Sequence, residues 1–154
     1  MRLMPKTLPG KKGFTLVELL IVMSIIGVLA TIVIGSFASS QMRGRDAQRK
    51  SDLKQISSSL EIYYNDHGKY PDALPAWGSE FTDGKTSYFK TLPGDPSNGY
   101  NYFYRVVDSP TNQKFQIYAR LENTEDKQLI VTSYQCGSKN CNFALTSANT
   151  KPNE

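Results

Sequence analysis

The 154-residue sequence has a single histidine, His67, and only two cysteines, Cys136 and Cys141. A structural zinc site usually takes four Cys or His ligands, so this set cannot complete one. There is no glycine-rich phosphate loop and no pair of acids in apolar sequence. These absences leave little from which to build an active site, and no catalytic residue is assigned. Acids are missing altogether from the first thirteen residues, which hold Arg2, Lys6, Lys11 and Lys12. Those four side chains account for the whole formal net charge of +4, because fourteen basic and fourteen acidic residues remain from position 14 onward. The basic excess belongs to the N-terminal segment, and the rest of the chain gives no reason to invoke nucleic acid.

What the sequence does have is one long uncharged run. Leu19 to Ala38 is twenty residues without a charge, about 30 Å as a helix and enough to cross a bilayer core. It is preceded by Lys11-Lys12-Gly13-Phe14-Thr15-Leu16-Val17-Glu18. Positive residues ahead of an apolar run hold that end in the cytoplasm. Glu18 stands at the head of the run, where lipid immersion alone would give an acid no use. A charge within a membrane helix costs about 2.5–3.5 kcal/mol at its centre and usually marks a functional pairing, so Glu18 is expected to meet a cation on another molecule. A secretory signal peptide has a shorter apolar stretch, although Ala38-Ser39-Ser40 resembles a cleavage site. A plain signal anchor fits the length but leaves Glu18 and the Gly-Phe junction unexplained.

Gly13-Phe14-Thr15-Leu16-Val17-Glu18-Leu19-Leu20 resembles the prepilin leader junction of type IV pilins and type II secretion pseudopilins. The resemblance implies that a prepilin peptidase cuts between Gly13 and Phe14 and that Phe14 becomes the N-methylated terminus. It also implies that Glu18 guides filament assembly. The expected organisation is a leader over residues 1–13, a hydrophobic transmembrane or filament-core helix over 14–40, and a soluble head over 41–154. In that family this part of the helix often loses hydrogen bonds in the filament. Gly27 and Gly35 are the candidate positions here, Gly35 standing where many relatives carry proline. Each glycine costs roughly 1 kcal/mol relative to alanine in a helix interior.

The same helix is expected to continue beyond Ala38. Leu53, Ile56, Leu60 and Tyr63 recur at helical spacing, and His67-Gly68 supplies the stop. Arg43, Arg45, Arg49, Lys50 and Lys54 outnumber Asp46 and Asp52 in this stretch. Three fates are open to the basic cluster: anionic headgroups, the acids of a neighbouring subunit, or a solvated face. From Pro71 to Gly99 the chain reads as a wrapped aromatic loop with one helical turn near Ser87–Thr91. Asp95-Pro96-Ser97-Asn98-Gly99-Tyr100 resembles the segment that enters the first strand of secretion pseudopilins, without its tryptophan and second proline. Strands are expected over 100–107, 115–121 and 128–134, with a frayed tail after Phe143. The predicted fold class is therefore α+β, a long N-terminal helix with a hydrophobic and an amphipathic half, packed on a three-stranded antiparallel sheet: a pilin fold.

Outside the cytoplasm a cysteine pair tends to oxidise, so Cys136 and Cys141 are expected to form a disulfide. No cofactor or resident metal is assigned. Glu122, Asn123, Glu125 and Asp126 have the hard oxygens calcium prefers, although a solvated acidic turn is the simpler account. The resemblance implies a filament subunit for adhesion, motility, DNA uptake or secretion. Its partners would be further copies or other pilins, the peptidase, an assembly ATPase and an inner-membrane platform protein. It would begin as a single-pass precursor in the cytoplasmic membrane and end in a surface filament. The competing class is a monomeric, membrane-anchored extracytoplasmic binding module using loop 71–99.

Overall fold

A computed structural model of the chain describes residues 13–154, apart from the side chains of residues 32–36. The leader expected over residues 1–13 lies outside this range except for Gly13. Gly35 is inside a helix, but its surroundings also lie outside the described residues. The chain divides into two units, Met1–Ser39 and Ser40–Glu154.

In the first unit, helix α1 (Leu16–His67) begins two residues after Phe14. Its start is set by Thr15 and Glu18, the Thr-x-x-Glu spacing of a capping box. The apolar side chains from Phe14 to Leu29 point outward, with Phe14 at 75% and Leu16 at 79% exposure. Ser24 and Thr31 turn their hydroxyls back onto the carbonyls of Ile21 and Val28, both at 2.7 Å, which hides these polar groups from apolar surroundings. Nothing lies within 4 Å of where a Cβ on Gly27 would stand. Among the described residues no helix is long and apolar enough to cross a membrane; the run Leu19–Ala38 passes through residues 32–36, which fall outside that count.

The second unit holds the rest of α1 and two small sheets. Leu53, Ile56 and Leu60 are fully buried, one face of the helix at the spacing the sequence shows. The helix stops where expected: Gly68 has φ 69° and its amide donates to Tyr64 O at 2.7 Å, a left-handed residue just past the last turn. A hairpin follows, β1 (Phe81–Thr82) with β2 (Ser87–Phe89). The helical turn expected near Ser87–Thr91 is therefore a strand. The Asp83 carboxylate accepts from the amides of Lys85 and Thr86, which closes a tight turn and commits the returning residues to pairing.

The main sheet is antiparallel with strand order β3-β4-β5, from Phe103–Val106, Phe115–Ala119 and Phe143–Thr146. Its register sets Tyr104 and Leu145 on either side of Ile117. Phe115, Ile117 and Ala119 share a core with Leu53, Ile56 and Leu60. Two expectations fail here. Residues 128–134 do not form the third strand; Phe143–Thr146 does. The rejected segment touches 140–142 at separated points, with Ile130 N donating to Asn142 O and Cys141 N to Tyr134 O. Four residues on one side span only one on the other, so the segment bulges and cannot continue a ladder. Nor does the tail fray, because Gln116 Nε2 and Tyr118 Oη donate to the carbonyls of Lys151 and Pro152 at 2.6 and 2.8 Å. Both faces of β4 are thus covered, and all five of its residues are buried.

Cys136 and Cys141 are joined as a disulfide, packed with Tyr118 on the sheet face away from Ile117. The short ring between them is pressed against the chain that enters β3. Ser138 N donates to Gly99 O at 3.0 Å, and Gly137 has φ 82°. A Cβ on Gly137 would lie 2.1 Å from Gly99 O, so both the backbone angle and the contact require glycine there.

Candidate functional site

Two groups of charged residues invite a functional reading, one in each unit. At the head of α1, Thr15 N and Thr15 Oγ1 donate to the same Glu18 oxygen, Oε2, at 2.9 and 2.8 Å. Glu18 N donates back to Thr15 Oγ1 at 3.2 Å. The arrangement satisfies amides at the first turn that have no helical acceptor. Glu18 is held in place by this exchange, and its second oxygen, Oε1, takes no hydrogen bond. Sequence reasoning gave Glu18 an intermolecular partner and overlooked Thr15, although the Thr-x-x-Glu spacing was there to be read. Phe14 is exposed beside it.

In the second unit, the basic cluster meets none of the three expected fates as a group. Arg49 is fully buried, its guanidinium bound to Asp46, Asp95 and Glu122, each at 2.8 Å. It also donates to Ser97 Oγ at 2.8 Å. Arg45 pairs bidentately with Glu122. Lys50 Nζ reaches Asp126 at 2.6 Å and Gln128 Oε1 at 2.8 Å. Asp46 completes the knot by accepting from the amides of Glu122 and Asn123 at 2.9 and 2.8 Å. One arginine on α1 thereby fastens the Asp95–Ser97 loop and the connection that follows β4.

The electrostatics follow from burial and pairing. Burial is the largest influence on Arg49 and works against its charge, but the hydrogen bonds it donates to Asp95 and Glu122 outweigh it and raise its pKa. The hydrogen bond from Arg45, with further ones from Arg49 and Ser97, lowers Glu122 to about 2 against the opposing effect of burial. Next to this knot, burial raises the pKa of Asp52, which accepts the Tyr102 hydroxyl at 2.7 Å.

This pairing corrects the calcium idea. Glu122 and Asp126 are occupied by Arg45, Arg49 and Lys50. Among the described residues no group of three or more His, Cys, Asp or Glu is placed to hold a metal ion. The aromatic loop is likewise turned inward: Phe81, Tyr88 and Leu92 are buried and Trp77 packs edge-on against Tyr102.

Residues 8–34 match the family model described as the prokaryotic N-terminal methylation motif. That match spans the Gly13-Phe14 junction, Glu18 and the first part of the apolar run. The chain is 38% identical over 98 residues to the type IV major pilin protein PilA of Myxococcus xanthus, a match covering 64% of this chain but only 38% of that protein. It is 33% identical over 120 residues to the type II secretion system core protein G of Pseudomonas aeruginosa, covering 71% of this chain and 82% of the relative. With the type IV major pilin protein PilE1 of Neisseria gonorrhoeae it shares 29% identity over 119 residues, 73% of this chain and 71% of that one. No solved structure matches it significantly. The chain belongs to the family of type IV pilins and type II secretion pseudopilins, whose members are structural subunits and not enzymes.

Proposed function

We propose that the chain is a subunit that polymerises into a helical pilus or pseudopilus. Residues 1–13 are the leader, removed on the cytoplasmic side by a prepilin peptidase, and Phe14 is then methylated on its new amine. Residues 14–40 anchor the precursor in the cytoplasmic membrane and later form the filament core, and 41–154 are the extracytoplasmic head. An assembly ATPase and a platform protein of the inner membrane draw subunits into the fibre. Gly27 and Gly35 are where the helix would open in the filament.

The observation that carries this reading is Glu18. Its capping bonds use one oxygen and leave Oε1 open at the start of a helix whose apolar side chains from Leu16 to Leu29 are exposed. Within lipid, a carboxylate so presented is stabilised by a cation more than by any group of its own chain, and the Phe14 amine of a neighbouring subunit is such a cation. Assembly then exchanges lipid contacts for helix packing. The monomeric binding-module reading finds no support in loop 71–99, whose large aromatics are committed to the core.

Intact-mass measurement of chain from a host with the peptidase is expected to show loss of residues 1–13 and gain of one methyl group. Retention of the leader would sink the processing step. Glu18→Leu is expected to insert normally yet give at least about tenfold fewer filaments, and normal yield would show that pairing does not select subunits.

A further inference from the structure

The chain that enters β3 is anchored at two points, with an exposed junction between them. Toward α1, Ser97 is held by three hydrogen bonds. Its amide donates to Asp95 Oδ1 at 2.8 Å, and its hydroxyl accepts from Arg49 at 2.8 Å and donates to Glu122 at 3.1 Å. Toward the cystine ring, Gly99 O takes the Ser138 amide at 3.0 Å. Asn98 stands between these anchors and is exposed, as is Gly99. Among the described residues the Asn98 side chain has no hydrogen bond or ion pair, and the Gly99 amide donates to nothing. The turn around them is closed by one long bond, Tyr100 N to Ser97 O at 3.3 Å.

The pairing of these two residue types has its own chemistry. Asn98-Gly99 is the one Asn-Gly step in the sequence. Glycine has no Cβ to shield its amide, so the Gly99 nitrogen can approach Asn98 Cγ without a side chain in the way. Asn65, Asn101 and Asn153 are also exposed, with side chains that bond nothing, but each precedes a residue that has a side chain: Asp66, Tyr102 and Glu154. Asn112, Asn123, Asn140, Asn142 and Asn149 have their side-chain amides in hydrogen bonds.

We propose that Asn98 is a site of spontaneous deamidation in the folded head, and that its isoaspartyl product frees the cystine ring. The Gly99 nitrogen loses its proton and bonds to Asn98 Cγ. The Cγ–Nδ2 bond breaks and ammonia leaves with that proton, which closes a succinimide. Water then adds to one of the two ring carbonyls. Opening at Cγ gives aspartate; opening at the main-chain carbonyl of residue 98 gives isoaspartate, whose chain runs through Cβ and Cγ. In sum, asparagine and water become a carboxylic acid and ammonia. Either product sets a new carboxylate beside Ser97. The isoaspartyl form also lengthens the main chain by one atom between two anchored points. Ser97 is held by three bonds and Gly99 O by one, so the added length is taken up where Ser138 lets go.

Peptide mapping of the folded chain in detergent, followed through weeks of storage, tests the chemistry. A gain of about 1 Da is expected in the peptide carrying Asn98, as a mixture of aspartyl and isoaspartyl forms. It should accumulate at least about tenfold faster there than at Asn65, Asn101 or Asn153. Asn98→Gln, which would need a larger and slower-forming ring, is expected to abolish it. Amide exchange tests the consequence: Ser138 should exchange at least about tenfold faster in the isoaspartyl form. In Asn98→Asp, which adds the charge without the length, Ser138 should keep its protection. No gain at Asn98, an equal gain at the other three, an aspartyl product alone or persistence in Asn98→Gln would overturn the inference. So would unchanged exchange at Ser138 in the isoaspartyl form, or an equal loss of protection in Asn98→Asp.

Discussion

The unit Met1–Ser39 and the unit Ser40–Glu154 treat the two kinds of side chain in opposite ways. In the first, the described apolar residues face outward and the only acid lies at the helix start. In the second, apolar residues are inside, and a small group of charges is inside with them, Arg49 and Asp95 having side chains at 0% exposure. A surface of bare Leu, Ile and Val has no stable existence in water and needs lipid or other helices around it. The ions buried in the head are paired within the head itself. The contrast teaches that exchange of surroundings is the business of one unit, and constancy of shape that of the other.

The contrast is most sharply broken at Arg49. Arg49→Met keeps the bulk and removes the charge, leaving Asp95 buried without its cation. The expected loss is about 3–5 kcal/mol, measurable as a lower urea midpoint, and insertion of the first unit into membranes should not change. A loss near zero would mean that the knot is not what holds the head.

A smaller effect comes from pH. The folded-state pKa of Glu122 is depressed, so its contribution is complete above the ordinary value of 4.5 and disappears as the pH falls toward about 2. Glu122→Gln is expected to flatten that part of the stability curve. The difference between the two urea series from pH 7 to pH 2 isolates this carboxylate from Asp126 and the other acids that titrate nearby. An identical slope in both series would contradict the assignment.

The smallest effect belongs to the first unit. Thr15→Val removes a cap worth about 1 kcal/mol, so helix content in micelles should drop only at its first turn, read by amide exchange at residues 15–18. Uniform loss of protection along the apolar helix would show that the cap governs more than the terminus.

These regions were not equally legible in the sequence. Helix α1 and its stop at His67-Gly68 were legible because spacing and a terminal glycine are local signals. So were β3 and β4, from Tyr104 and Phe115–Ala119, where alternation and aromatic content agree. The third strand was not. Leu129-Ile130-Val131-Thr132 has the better strand composition, but pairing was decided by which segment could keep register along β4, and Phe143–Thr146 could. The ion knot was beyond reach for a similar reason. Arg49 lies 46 residues from Asp95 and 73 from Glu122, and no periodicity links such distances. A run of basic residues beside a helix ordinarily faces solvent, so composition pointed the wrong way.

The close seating of Gly137 on Gly99 has a practical consequence for anyone altering this protein. In a saturation library, position 137 should return glycine alone, whatever the selection pressure on the fibre. A tag or label placed within the cystine ring would pry it from the strand entry beneath. The hairpin tip at Gly84-Lys85 is open on its outer side and is the better place for a foreign epitope.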